Sequence, residues 1–349
     1  MELNIKISFA FILMLFLTRV GEARQQVFDV TKFGATTNGD ISKVRMCATS
    51  PSTIVIPKGT YPMNQVKLQG PCKAPLELQQ LNGDGEWFTA NYIDQFTLYG
   101  TGVFDGQGKA AWARITVQLP NATIFPIFNF LTNSTILDIT SQDSKMFHVN
   151  VNGCKNLTFI GVKIIAPQES INTDGIHVAR SSNVNITDCD ELEQLHITKV
   201  TCGPGHGISP VVGVYVKNCT FINTDNGVRV KTWPASHQGV VTDLHFEDII
   251  VQNVSNPVVI DQVYCPYNQC NKDISKVSIK NVRGTSRTQD AILLLCDKGV
   301  PCEGVEVGDI DISYNGKEGP AKSSCENVKP SFVGKQNPLC LSWSTMRLS

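Results

Sequence analysis

Residues 184–198 read Val184-Asn185-Ile186-Thr187-Asp188-Cys189-Asp190-Glu191-Leu192-Glu193-Gln194-Leu195-His196-Ile197-Thr198. Two short apolar-x-apolar units, Val184-Asn185-Ile186 and Leu195-His196-Ile197, stand in this stretch. The same unit recurs on either side as Leu157-Thr158-Phe159, Val214-Tyr215-Val216, Leu244-His245-Phe246 and Val277-Ser278-Ile279. Alternation over a few residues, rich in β-branched types and bounded by Gly, Asn and Asp, is the pattern of short strands. Sustained 3.6-residue periodicity is absent outside the first residues. Strands recurring at intervals of tens of residues suit a right-handed parallel β-helix, in which each coil buries its apolar positions against its neighbours. A β-sandwich, with strands every 8–12 residues or so, fits less well. The expected fold is an all-β solenoid of one domain over residues 24–349.

The repeat is uneven. Its units begin at 157, 184, 195, 214, 244 and 277, so successive spacings are 27, 11, 19, 30 and 33 residues. Eleven residues make one strand and a turn, not a coil. Either two strands share a coil there, or part of a coil is missing; partial-coil gaps are expected near 187–193 and 209–213.

Compartment follows from the first residues. The apolar run Ile7–Leu17 and the small-x-small end Gly21-Glu22-Ala23 have the form of a signal peptide over residues 1–23. The run is too short for a comfortable membrane span, so no membrane anchor is expected. Export makes the 12 cysteines readable: an even number in a secreted chain argues for disulfides over zinc. Cys265–Cys270, Cys296–Cys302 and Cys325–Cys340 are the plausible local staples. Six Asn-x-Ser/Thr sequons, at Asn121, Asn133, Asn156, Asn185, Asn218 and Asn253, suit an exported glycoprotein.

Thirty Lys and Arg against 31 Asp and Glu leave a net charge of −1, so no general attraction to nucleic acid or anionic membrane is expected. An anionic ligand would have to meet a local cluster. Four stretches could supply chemistry: Asn172-Thr173-Asp174-Gly175-Ile176-His177, Asp188-Cys189-Asp190, Gly203–Ser209 with His206, and Gly227–Trp233 with Arg229 and Lys231. Each has a plainer reading, as a turn, a strand end, a loop histidine or a solvated strand face. Their order along successive coils counts against the plain readings, because equivalent positions of adjacent coils lie roughly 5 Å apart. Arg229 and Lys231, two residues apart on a strand, project to one side and suit a carboxylated ligand.

With these motifs on view, the chain resembles the plant polygalacturonases of glycoside hydrolase family 28, notably the pollen-type exo-acting members. The resemblance rests on "NTDGIHV" (172–178), "CGPGHGIS" (202–209), "GVRVKTW" (227–233) and "VIDQVYC" (259–265), and covers nearly all of the chain beyond residue 23. It implies hydrolysis of α-1,4-linked galacturonate in pectin, with inversion, by a secreted cell-wall enzyme. An inverting glycosidase sets a proton-donating acid against a carboxylate base roughly 6.5–9.5 Å away. Carried onto this sequence, the catalytic residues are Asp174, Asp188 and His206, and the substrate-binding residues Asn172, Arg229, Lys231 and Tyr264. No metal or cofactor is implied, and a monomer acting on polygalacturonate is expected.

One family signature, Gly-Asp-Asp-Cys, is absent; the corresponding stretch reads Thr187-Asp188-Cys189-Asp190. Asp188 keeps one carboxylate if Cys189 matches the family cysteine, and neither aspartate is catalytic if a gap has removed the motif. A catalytically weak relative that binds pectate without cutting it, or an incomplete gene model, is the alternative. Pectate lyase, which shares the β-helix, would need acidic calcium ligands that are not grouped here.

Overall fold

The structure, a computed structural model, describes residues 26–33, 49–61, 66–80, 88–112, 126–167, 170, 173, 175–192, 195–198, 211–231, 240–263 and 273–340. These residues form a parallel β-helix. A twelve-stranded sheet (sheet A) runs from Gln26–Asp29 to Ser331–Asn337, a ten-stranded sheet (sheet B) from Val66–Gln69 to Lys322–Glu326, and three short strands make a third sheet. Every strand pairing is parallel. Helix is confined, among the described residues, to single turns at Val30–Phe33 and Lys109–Trp112, and no helix is long and apolar enough to cross a membrane.

Register resolves the uneven repeat. Leu157, Val184, Val214, Leu244 and Val277 are successive partners in sheet A, giving coils of 27, 30, 30 and 33 residues. Leu195 belongs to sheet B, where Leu195–Thr198 lies between Ile176–Ala179 and Asn226–Lys231. The 11-residue spacing is therefore the step from sheet A to sheet B within one coil: two strands share it. The coil closes with a register irregularity between Cys189 and Leu192.

Inward residues stack from coil to coil. Phe88, Phe96, Phe104, Phe128 and Phe159 form a buried aromatic file, with Phe128 edge-on between Phe88 at 6.2 Å and Phe159 at 5.9 Å, and Phe88 stacked on Phe96 and tilted against Phe104. The corners of the coils are set by residues with left-handed backbone, which Asn, Asp and Gly adopt most readily. One corner column of sheet A runs Asn156, Asn183, Gly213 and Asp243, with φ of 55°, 54°, 69° and 61°. Side-chain amides tie it together, Asn183 donating to Asn156 and Asn156 to Asn133, each at 2.8 Å.

The disulfides Cys296–Cys302 and Cys325–Cys340 are formed, and Cys72 is also disulfide-bonded. Cys265–Cys270 lies outside the described residues. Cys154, Cys189 and Cys219 depart from the expectation of disulfides: they are free, buried thiols filling inward positions as small apolar groups. Burial pushes the Cys154 thiol up to about 11. Cys189 and Cys219 are register partners, and the Cys219 thiol is raised first by a hydrogen bond with the Cys189 thiol and then by burial.

Candidate active site

Sheet B carries the cation pair. Its strand Asn226–Lys231 alternates, with Val228 and Val230 buried inward and Arg229 and Lys231 on the outer face. Across the strands, Asn150, His177, His196, Arg229 and Val259 are successive register partners. A second row joins Thr198, Lys231 and Asp261. The outer face thus presents His177, two cations and one carboxylate, with the backbone of His196 in register between His177 and Arg229.

Arg229 Nη2 donates to Asp261 Oδ2 at 3.4 Å, with the two side chains 19% and 15% exposed. Arg229 Nε is buried and has no hydrogen-bond partner among the described residues. Buried donors are paired almost without exception in native proteins, so an unpaired guanidinium nitrogen on a polar surface marks a place for an acceptor. His177, 5% exposed, has Nδ1 3.0 Å from Asn150 Oδ1 and stacks on Phe147 with ring centroids 4.7 Å apart. The ring is held in one orientation by both contacts.

Of the residues expected from sequence, the structure brings Arg229 and Lys231 together on one face. Asp188 is not brought to them. It stands at a corner of sheet A, φ 55°, exposed, accepting a 2.8 Å bond from Asn218 Nδ2. Its counterparts on the following coils, Asn218, Asp248, Asn281 and Asp309, have φ of 53°, 57°, 50° and 51°. Asp188 is thus one rung of a corner ladder. Asn172, Asp174, His206 and Tyr264 lie outside the described residues. By chain position, Asp174 precedes by two residues the sheet B strand Ile176–Ala179, and Tyr264 follows Asp261 by three.

Two members of this face, His177 and Asp261, and the register position of His196 are not singled out by the sequence reading. A signal was available. Arg229 and Lys231 advanced by the 30-residue coil give Val259 and Asp261. His177 is inside a quoted motif but unassigned, and His196 becomes a neighbour of Arg229 only once Leu195–Thr198 is placed in sheet B.

A parallel β-helix that sets two cations side by side on the outer face of one strand offers a local site for a carboxylated ligand. The match to known proteins is specific. Residues 47–336 match the model of glycosyl hydrolases family 28. A polygalacturonase of Nicotiana tabacum is 62% identical over 390 aligned positions, covering 97% of each chain, and an exopolygalacturonase of Oenothera organensis is 46% identical over 349, covering 86% of this chain and 96% of its own. In fold, the chain is similar to the endo-xylogalacturonan hydrolase of Aspergillus tubingensis, with a TM-score of 0.67 at 20% identity over 90% and 99% of the two chains. The chain belongs to glycosyl hydrolases family 28.

The tobacco comparison spans 390 positions and this chain has 349 residues, so at least 41 aligned positions have no counterpart here.

Proposed function

We propose that this chain acts on polygalacturonate, hydrolysing α-1,4-galacturonosyl linkages from chain ends with inversion. The observation that carries the reading is the buried, unpaired Arg229 Nε beside Lys231 on the outer face of sheet B. A galacturonate carboxylate would accept from the Arg229 fork and sit against the Lys231 charge. The names of the relatives, polygalacturonase and exopolygalacturonase, support the substrate and the end-acting mode. In this reading Asp174 serves as a water-activating carboxylate, His206 tunes the site, and Asn172 and Tyr264 contact the sugar. The leader over residues 1–23 directs export to the cell wall, where the chain works as a monomer.

A second reading, in which pectate is held but not cut, is favoured by the position of Asp188. Among the described residues the carboxylate on the cation rows is Asp261, and it is already paired with Arg229. Incubation of purified chain with polygalacturonate separates the readings. Release of galacturonate without the ultraviolet absorbance of an unsaturated product supports hydrolysis; retention on a pectate column without sugar release supports the second reading.

Both readings share one consequence. Arg229→Ala is expected to weaken pectate binding about 10- to 100-fold, the worth of a charged hydrogen bond of ~1.5–3 kcal/mol. Affinity electrophoresis in pectate gels measures it, and unchanged mobility shift would count against the assignment of this face.

A further inference from the structure

The structure separates the sequons. Asn133, Asn156, Asn218 and Asn253 all sit at coil corners, with φ of 49°, 55°, 53° and 55°. Each donates its side-chain nitrogen to the preceding coil at 2.8 Å, to Asp94, Asn133, Asp188 and Asn223 respectively. The atom that would carry a sugar is thus held in the ladder that defines the corner. Asn185 differs. It lies within the strand Ser182–Leu192, between inward Val184 and Ile186, with its side chain on the partly exposed outer face of sheet A. None of the described hydrogen bonds engages its amide.

The neighbour of Asn185 on the next coil is Tyr215, and beyond that His245. The Tyr215 and His245 rings stack with centroids 4.8 Å apart and planes within 2°. Asp243 fixes the pair, accepting from Tyr215 Oη at 3.0 Å and lying 2.9 Å from His245 Nε2. Since His245 covers one face of the Tyr215 ring, the other face is turned toward the coil of Asn185. Tyr215 remains 38% exposed. An amphipathic ring held rigid beside an accessible asparagine is a surface on which the apolar C–H face of a pyranose can lie.

We propose that Asn185 carries an N-linked glycan whose first N-acetylglucosamine stacks on Tyr215. In the transfer, Asn185 Nδ2 bonds to the anomeric carbon of a polyprenyl-pyrophosphate-linked oligosaccharide. The sugar–phosphate bond breaks, the pyrophosphate leaves with the polyprenol, and the Nδ2 proton passes to a base of the transferase. The inference rests on the export reading above. The sugar would lie on sheet A, away from the cation rows of sheet B.

The test is the full chain secreted from a mammalian cell line, with occupancy of each sequon read by peptide mass spectrometry. Asn185 is expected to be occupied. Its glycan is expected to leave the native protein on peptide N-glycosidase treatment about fivefold more slowly than in Tyr215→Ala, the factor that ring stacking of ~1 kcal/mol gives. Tyr215→Phe, which keeps the ring and drops the bond to Asp243, should retain the slow release. Occupancy is read on the wild-type chain and stands without either variant. Sugar on other sequons with Asn185 bare would overturn the proposal, as would equal release rates in wild type and Tyr215→Ala. A chain retained in the cell with every sequon bare would overturn the export reading itself.

Discussion

Phe128→Ala is expected to lower the free energy of unfolding by about 3–5 kcal/mol, the usual loss when a fully buried aromatic is truncated. Phe128 has no exposed surface, and its strand Ile127–Asn129 is paired on both sides, with Phe88–Asn91 and Val149–Asn152. The ring fills one level of the aromatic file, so its removal opens a void between Phe88 and Phe159 that the flanking coils cannot close without shifting register. Urea unfolding followed by tryptophan fluorescence should show the midpoint falling with the slope little changed. Phe128→Leu, closer in volume, should lose roughly 1.5 kcal/mol or less. An alanine variant with an unshifted midpoint would mean that the file contributes little.

Restoring a Gly-Asp-Asp-Cys segment between Leu192 and Leu195 is expected to raise hydrolysis of polygalacturonate by about 10²–10⁴-fold, the usual contribution of a positioned acid or base. The argument is geometric. The strand Leu195–Thr198 occupies the sheet B position beside the cation pair, and the residues in register with Arg229 and Lys231 are His196 and Thr198, not a carboxylate pair. Asp188 is committed to the corner ladder by its bond from Asn218. Replacing both restored aspartates by asparagine should return the rate to that of the present chain, and galacturonate release is the measurement. If the present chain already matches the restored one, its acid and base are supplied by residues other than those argued here.

The solenoid was legible because alternation needs only a few residues to show. Val184-Asn185-Ile186 buries two side chains and exposes one whichever sheet it joins. That same economy hid which sheet Leu195-His196-Ile197 belongs to, since a strand in sheet A and one in sheet B alternate alike. The corner ladder was in the sequence as Asn and Asp recurring once per coil, yet single Asx residues between strands read as ordinary turns. Sequence alone shows Asp188 as a carboxylate; its left-handed φ and its rung in the corner column are visible only in the structure. That Arg229 and Lys231 share one face is legible from their two-residue spacing. Asp261 required the length of a coil, which only register supplies.

The coil that closes between Ser182 and Thr198 has a consequence for inheritance. A solenoid level touches only the levels above and below it, so residues lost from one level disturb its immediate neighbours and no others. Here the strands before and after this level pair regularly, Val149–Asn152 with Ile176–Ala179 and Asn226–Lys231 with Asn256–Asp261. In a domain with a single central core, a comparable loss would be felt throughout. Selection for a folded product therefore exerts little hold on the reactive residues of any one level, and a lineage can retain the scaffold while its chemistry drifts.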